Sequence, residues 1–105
     1  MKFLGNAFSL GMLKGDSTLS VKEVSLDDAR QFIIDAQSVI GHQSTAEYVT
    51  MLTGVPISTN RVSLSLTNGD QLLVFQLLGR LPEGVVLTQD EVTKIPHKWY
   101  LVTVV

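Results

Sequence analysis

The chain contains no cysteine, which excludes disulfide bridges, thiolate metal sites and a cysteine nucleophile together. This absence fits a reducing compartment, and we expect a cytoplasmic protein. Long apolar runs are missing too, since none approaches the roughly 18 residues of a membrane span. Gly5 and Asn6 interrupt the first apolar stretch too early for a signal peptide. We therefore expect no membrane association.

Charge is also scarce in this sequence. Charged residues make up 17% of it, and eight Lys and Arg against ten Asp and Glu give a net charge of −2. Proteins that wrap duplex DNA need a basic excess, so we expect no duplex DNA partner, although a few focused cations can still hold a small anion. With hydrophobic residues at 45%, the low charge predicts apolar surface buried against a second copy in a homodimer.

Length and hydrophobic patterning predict one domain over residues 1–105, built as a mixed β-sheet flanked by helices. The predicted fold class is α/β, with α+β as the open alternative. Helices are predicted at 26–39, at 45–53 and between Thr88 and Pro96, and strands at 2–8, 19–24, 61–66, 72–78 and 99–105.

Two capping patterns predict where the helices start. Ser25 with Asp28 forms the first, and Ser44 with Glu47 forms a capping box for the second helix. Gly41 is suited to end the first helix in the left-handed conformation. His42 is therefore expected in a tight turn between two helices.

The pair Asn68-Gly69 is typical of a two-residue hairpin turn, so strands 61–66 and 72–78 are predicted to pair as a hairpin. The second of these strands is nearly all apolar, as a central strand covered on both faces would be. Gln76 is its polar exception, and it either bonds a loop or contacts a ligand.

His42 is the first candidate for chemistry. It stands beside a predicted helix start, where free backbone N–H groups favour an anion and Ser44 and Thr45 add hydroxyl donors. An imidazole at such a place can protonate a departing alkoxide. A simpler alternative stays open, in which Ser44 only caps the helix and His42 fills a turn.

Arg61 and Arg80 are the candidate phosphate ligands. Both are predicted at the open end of the hairpin, where guanidinium groups suit bidentate phosphate contacts. Surface arginines without a function are the alternative. Glu83 could orient His42, accept a proton, or pair with Arg80 at the surface.

Other polar residues have ordinary structural explanations. Asn6 and Ser9 flank the first loop, where turn chemistry is the default, and the paired acidic residues fall at predicted helix starts. The two histidines lack metal-ligand spacing, and the sequence has neither a phosphate loop nor a dinucleotide fingerprint. We therefore expect no metal and no cofactor.

Five segments, taken in order, carry a resemblance to a known family. They are N-A-F-S-L (6–10), I-G-H-Q-S-T (40–45), N-R-V (60–62), the G-D pair with the buried strand (69–78) and R-L-P-E-G-x-x-L (80–87). Together they resemble the viral and prophage-type family of type III anti-CRISPR ring nucleases, over nearly the whole chain.

The resemblance implies a homodimer that binds cyclic tetra-adenylate, the second messenger made by type III CRISPR complexes. Such a protein cleaves the ring to linear di-adenylate with 2′,3′-cyclic phosphate ends, without a metal. The family's catalytic histidine falls on His42 and its supporting glutamate on Glu83. The implied ligand contacts are Arg61, Arg80, Gln76 and the loop with Asn6 and Ser9, and the predicted helix start adds Gly41, Ser44 and Thr45.

Two other classes of function stay open. A module that binds a cyclic nucleotide without cutting it would need the same cations and pocket. A structural or interaction protein that docks through an apolar sheet surface would have no affinity for a small ligand.

Overall fold

The apolar segments of the sequence pair into one mixed sheet in a computed structural model that describes residues 1–78 and 94–105. The expectation of a mixed sheet flanked by helices is confirmed, in an α+β arrangement. The described strands are β1 (Lys2–Gly5), β2 (Leu19–Val24), β3 (Gln37–Ser38), β4 (Gln71–Leu77) and β5 (His97–Val104), and the helices are α1 (Leu26–Ile33) and α2 (Gln43–Thr53), with a 3-10 turn at Leu10–Met12.

The strands lie in the order β2-β5-β4-β1-β3. The central strand β4 runs parallel to β1 and antiparallel to β5, and β1 also runs parallel to β3. The carboxyl ends of β1, β3 and β4 therefore meet at one edge of the sheet, which is where ligands bind in many sheets with parallel strands.

Alternating side chains of β4 are buried on both faces of the sheet, as predicted for a central strand. On the face that carries α1 and α2, the cluster includes Leu4, Ile33, Leu52, Leu73, Phe75 and Trp99. On the opposite face, which we call the second face, it includes Phe3, Leu66, Leu72, Val74, Val102 and Val104.

Helix α1 begins as predicted but ends early. The Ser25 side chain accepts a hydrogen bond from the backbone N–H of Asp28 at 3.1 Å. The prediction of a helix to residue 39 is wrong, because Gln37–Ser38 pairs with β1 instead. Val39 then packs on the second face and Ile40 on the helix face, a two-residue alternation that favours extended chain over helix.

The predicted start of α2 needs correction as well. His42, not Ser44, is the N-cap residue, and Glu47 accepts from Gln43 Nε2 at 3.1 Å rather than completing a capping box. Gly41 is not left-handed, so it does not close a helix, and His42 follows β3 instead of lying between two helices. The predicted stop is confirmed, since Gly54 ends α2 with φ of +75°.

The predicted hairpin is wrong. Residues 61–66 form no strand, and β4 pairs with β1 and β5 instead. Leu64 and Leu66 alternate inward because this segment packs over the second face of the sheet. Arg80, Glu83 and most of the third predicted helix (residues 88–93) lie outside the described residues.

Candidate functional site

His42 stands at the start of α2 with its side chain exposed. Its backbone is extended (φ −122°, ψ 125°), and its carbonyl accepts from the Ala46 N–H at 3.0 Å. The side chain makes no capping hydrogen bond. The imidazole is therefore available to a ligand beside the free N–H groups of the first helical turn.

Arg61 lies next to the residue before His42. A Cβ placed on Gly41 would lie 3.1 Å from Arg61 Cγ and 3.4 Å from Arg61 Cβ, so the arginine stem packs directly over that glycine. Arg61 itself is exposed. The structure thus brings the His42 imidazole and the stem of Arg61 to the same end of the sheet, although the hairpin expected to place Arg61 there is absent.

A groove of about 430 Å³ opens on the second face of the sheet. It is lined by Asn6, Ala7, Phe8, Val21, Val74, Gln76, Tyr100 and Val102. Gly5 of β1 is in register with Val74 of β4. Because the two strands are parallel, Ala7, two residues after Gly5, lies level with Gln76. The groove therefore reaches the edge of the sheet where the parallel strands end.

The pair His42 and Arg61 follows β3 at the same end of the sheet, but neither residue lines the groove. Leu4 is in register with Ser38, and Val39 N–H donates to the Leu4 carbonyl at 2.8 Å, so the chain leaving β3 towards His42 runs beside the chain leaving β1 towards Asn6. The amides and rings of the groove suit a ligand with flat rings, and the exposed imidazole and arginine after β3 suit its phosphates.

The remaining predicted contacts have different surroundings. Ser9 is the N-cap of the 3-10 turn, where its carbonyl accepts from Met12 N at 3.1 Å, and it does not line the groove. Ser44 is exposed in the first turn of α2. Thr45 is only 9% exposed, so its backbone N–H is the group it can offer to an anion. Arg80 and Glu83 lie outside the described residues.

Several residues at this edge escape prediction from the sequence. Phe8 and Tyr100 bring aromatic rings to the groove, and Asn60 ties the chain before Arg61 to β3. Tyr100 becomes visible as a groove residue only once β5 is known to pair with β4, in register with Val74. In the sequence, the only local sign that Asn60 could fix the chain is its side-chain amide next to Arg61.

Residues 1–78 and 94–105 contain no group of three or more His, Asp or Glu placed to hold a metal ion. No helix within the same ranges is long and apolar enough to cross a membrane.

The profile of the STIV B116-like family matches residues 2–99. The chain belongs to this family. Among its relatives is uncharacterized protein 26 of Sulfolobus islandicus filamentous virus, 31% identical over 109 positions that cover 100% of this chain and 92% of the viral protein. YddF of Bacillus subtilis, also uncharacterized, is 34% identical over 86 residues, or 78% of this chain and 80% of YddF.

The solved structure of B116 from Sulfolobus turreted icosahedral virus has the same fold. It superposes with a TM-score of 0.85 at 30% identity and covers 97% of each chain. The family and its viral members are thereby established, together with the fold that forms the groove.

Proposed function

We propose that this member of the STIV B116-like family is a metal-independent ring nuclease that acts in the cytoplasm. It binds cyclic tetra-adenylate and cleaves it to linear di-adenylate, which ends type III CRISPR second-messenger signalling. The observation that carries the proposal is the exposed imidazole of His42, with the Arg61 stem packed against the preceding Gly41, at the same end of the sheet as a groove that holds amides and aromatic rings.

Binding uses two kinds of contact. The guanidinium of Arg61 and the N–H groups of the first turn of α2 hold a phosphate. Phe8 and Tyr100 offer surfaces for stacking an adenine. The amides of Asn6 and Gln76 can pair with the N6 and N7 atoms of that base.

Cleavage is an internal transfer held in line by these contacts. A 2′-oxygen of the ring bonds to the neighbouring phosphorus while the bond from phosphorus to the 5′-oxygen breaks. His42 gives a proton to the leaving 5′-oxygen, and the proton of the 2′-hydroxyl passes to Glu83, which the resemblance marks as the supporting residue. Arg61 and Arg80 stabilise the charge on the phosphoryl oxygens. The ends are a 2′,3′-cyclic phosphate and a 5′-hydroxyl.

A homodimer completes the reaction. A twofold dimer presents two His42 side chains to two opposite phosphates of the fourfold ring. Two cuts then release two di-adenylates. One useful histidine in a chain of 105 residues is enough to halve the ring.

The test is to incubate the purified protein with cyclic tetra-adenylate in excess EDTA and to identify the products by mass spectrometry. We expect di-adenylate with 2′,3′-cyclic phosphate ends. His42→Ala should not cleave the ring, and the matched control for it is His97→Asn. His97 Nδ1 donates to the Ile95 carbonyl at 2.8 Å, and an Asn amide can replace that hydrogen bond. This variant should cleave like the wild type.

Three other outcomes would contradict the proposal. A ring that binds and stays intact would make the protein a sequestering or sensing module. A ring that neither binds nor breaks would leave a structural or interaction protein as the better account. Cleavage that EDTA abolishes and added metal restores would contradict the mechanism.

A further inference from the structure

The edge strand β3 holds a second segment of chain along its outer side. Ser38 Oγ donates to the Ser58 carbonyl at 2.7 Å, and Asn60 Nδ2 donates to the Ser38 carbonyl at 2.9 Å. The Asn60 backbone N–H donates to the Ile40 carbonyl at 2.8 Å. Three hydrogen bonds therefore fix residues 58–60 to β3 and to the chain that leads from it to His42.

The next residue is Arg61, whose position follows from this attachment. Its Cα lies 3.6 Å, and its Cγ 3.1 Å, from the point where a Gly41 Cβ would stand. Gly41 has no positive φ, so the backbone alone does not demand glycine there. What it supplies is room for the arginine stem.

Arg61 forms no ion pair with any residue in the described part of the chain. Within this part of the chain, the orientation of its guanidinium is therefore set by the backbone and by the packing of the side-chain stem. An exposed arginine has several rotatable bonds, and holding them before binding lowers the entropy lost when a phosphate arrives.

We infer that Asn60 is a positioning residue, which together with the bare backbone of Gly41 aims Arg61 at the phosphate beside His42; this role rests on the proposed function. Asn60 does not touch the ligand. It acts through Arg61, and its loss should weaken binding only while Arg61 is present.

A double-mutant cycle measures that dependence. Asn60→Ala should raise the Kd for cyclic tetra-adenylate about tenfold, a change of about 1.4 kcal/mol. In an Arg61→Ala background the same change should leave the Kd unaltered, since no guanidinium remains to be aimed. An equal loss in both backgrounds would overturn the inference.

Gly41→Ala gives a second route to the same result if Asn60→Ala does not fold. The new Cβ should displace the Arg61 side chain and raise the Kd, but it should have no effect in the Arg61→Ala background. Gln71→Ala is the matched control, since it removes the hydrogen bond that the Gln71 side-chain amide donates to Thr103 Oγ1 at the opposite end of β4. It should leave the Kd unchanged in both backgrounds.

A ligand-free measurement separates this inference from the proposed function. The order parameter of Arg61 Nε, measured by nuclear magnetic resonance, should fall in Asn60→Ala and stay unchanged in Gln71→Ala. A fall shows that Asn60 orders Arg61 even if the ring proves not to be the ligand. An unchanged order parameter would refute the positioning role even if the protein cleaves the ring.

Discussion

The side chains at the proposed site reach their places by different means. His42 is placed by the start of α2, and the sequence predicts a helix start near it, although the capping pattern put the N-cap two residues too late, at Ser44. Arg61 is placed by hydrogen bonds between residues about twenty positions apart, such as Asn60 with Ser38. Its proximity to His42 was predicted only through the resemblance, while the hairpin proposed for it is wrong.

The proposed role of His42 as a proton donor predicts a direction of pH dependence. Under single-turnover conditions, cleavage should slow at alkaline pH, because an imidazole must carry its proton to act as a general acid. The measurement is the rate of ring opening at constant ionic strength. A rate that keeps rising beyond about pH 8 would indicate a general base instead.

Trp99 carries a prediction about stability. Its side chain is 2% exposed, packs against Phe75 at 4.8 Å between ring centroids, and finds no hydrogen-bond acceptor for Nε1 among the described residues. Trp99→Phe removes that unsatisfied donor, so we expect its free energy of unfolding within about 1 kcal/mol of wild type, whereas Trp99→Ala should cost about 3–5 kcal/mol. Urea denaturation measures both, and equal losses would contradict this account.

At the scale of elements, local features were predictable and pairings were not. The Ser25 cap and the strands β2 and β5 follow from short patterns that need no partner. The segment 61–66 has the alternation of a strand, yet it packs as irregular chain on the second face because β1 and β5 already occupy both sides of β4. An alternation of apolar and polar residues indicates that one side of the segment is buried, but it does not show that the segment hydrogen-bonds to a neighbouring strand.

The turn before β4 contains Asp70, whose protonation at low pH should lower the free energy of unfolding. Asp70 accepts from the Thr67 backbone N–H at 2.9 Å, and this bond, with a smaller contribution from the Met1 ammonium, lowers the pKa of the Asp70 carboxyl. A lowered pKa stabilises the fold at neutral pH, and that contribution is lost as the pH falls through the folded-state value.

Asp70→Asn should therefore destabilise the protein at pH 7 by about 1 kcal/mol and less near about pH 3. The difference between the urea midpoints of wild type and variant, measured at the two pH values, checks this. A difference that stays constant or grows towards acid would contradict the assignment of the lowered pKa to Asp70.

At the scale of the molecule, the sheet gathers residues that are far apart in sequence. Asn6, His42, Arg61 and Gln76 come to one edge because β1, β3 and β4 run parallel. No local pattern predicts that order, since it depends on β1 lying between β3 and β4. The resemblance predicted these residues as one site, and the topology brings two of them, Asn6 and Gln76, to one groove.

In the proposed mechanism a dimer sets the stoichiometry of the reaction, and this is testable. Wild-type protein should sediment as a dimer, while dimers with one His42→Ala subunit should cut the ring once and accumulate linear tetra-adenylate. Mixed subunits with distinct tags allow such dimers to be purified. A monomer that halves the ring as fast as the dimer would contradict the symmetry of the mechanism.

The most direct test of the central claim compares wild type with His42→Ala in excess EDTA. The single-turnover rate of ring opening should fall by about 10²–10⁴ in the variant, the usual contribution of a general acid. The Kd for cyclic tetra-adenylate should change by less than about threefold, since the imidazole acts mainly in the transition state. A variant that still opens the ring at the wild-type rate would show that His42 is not the acid.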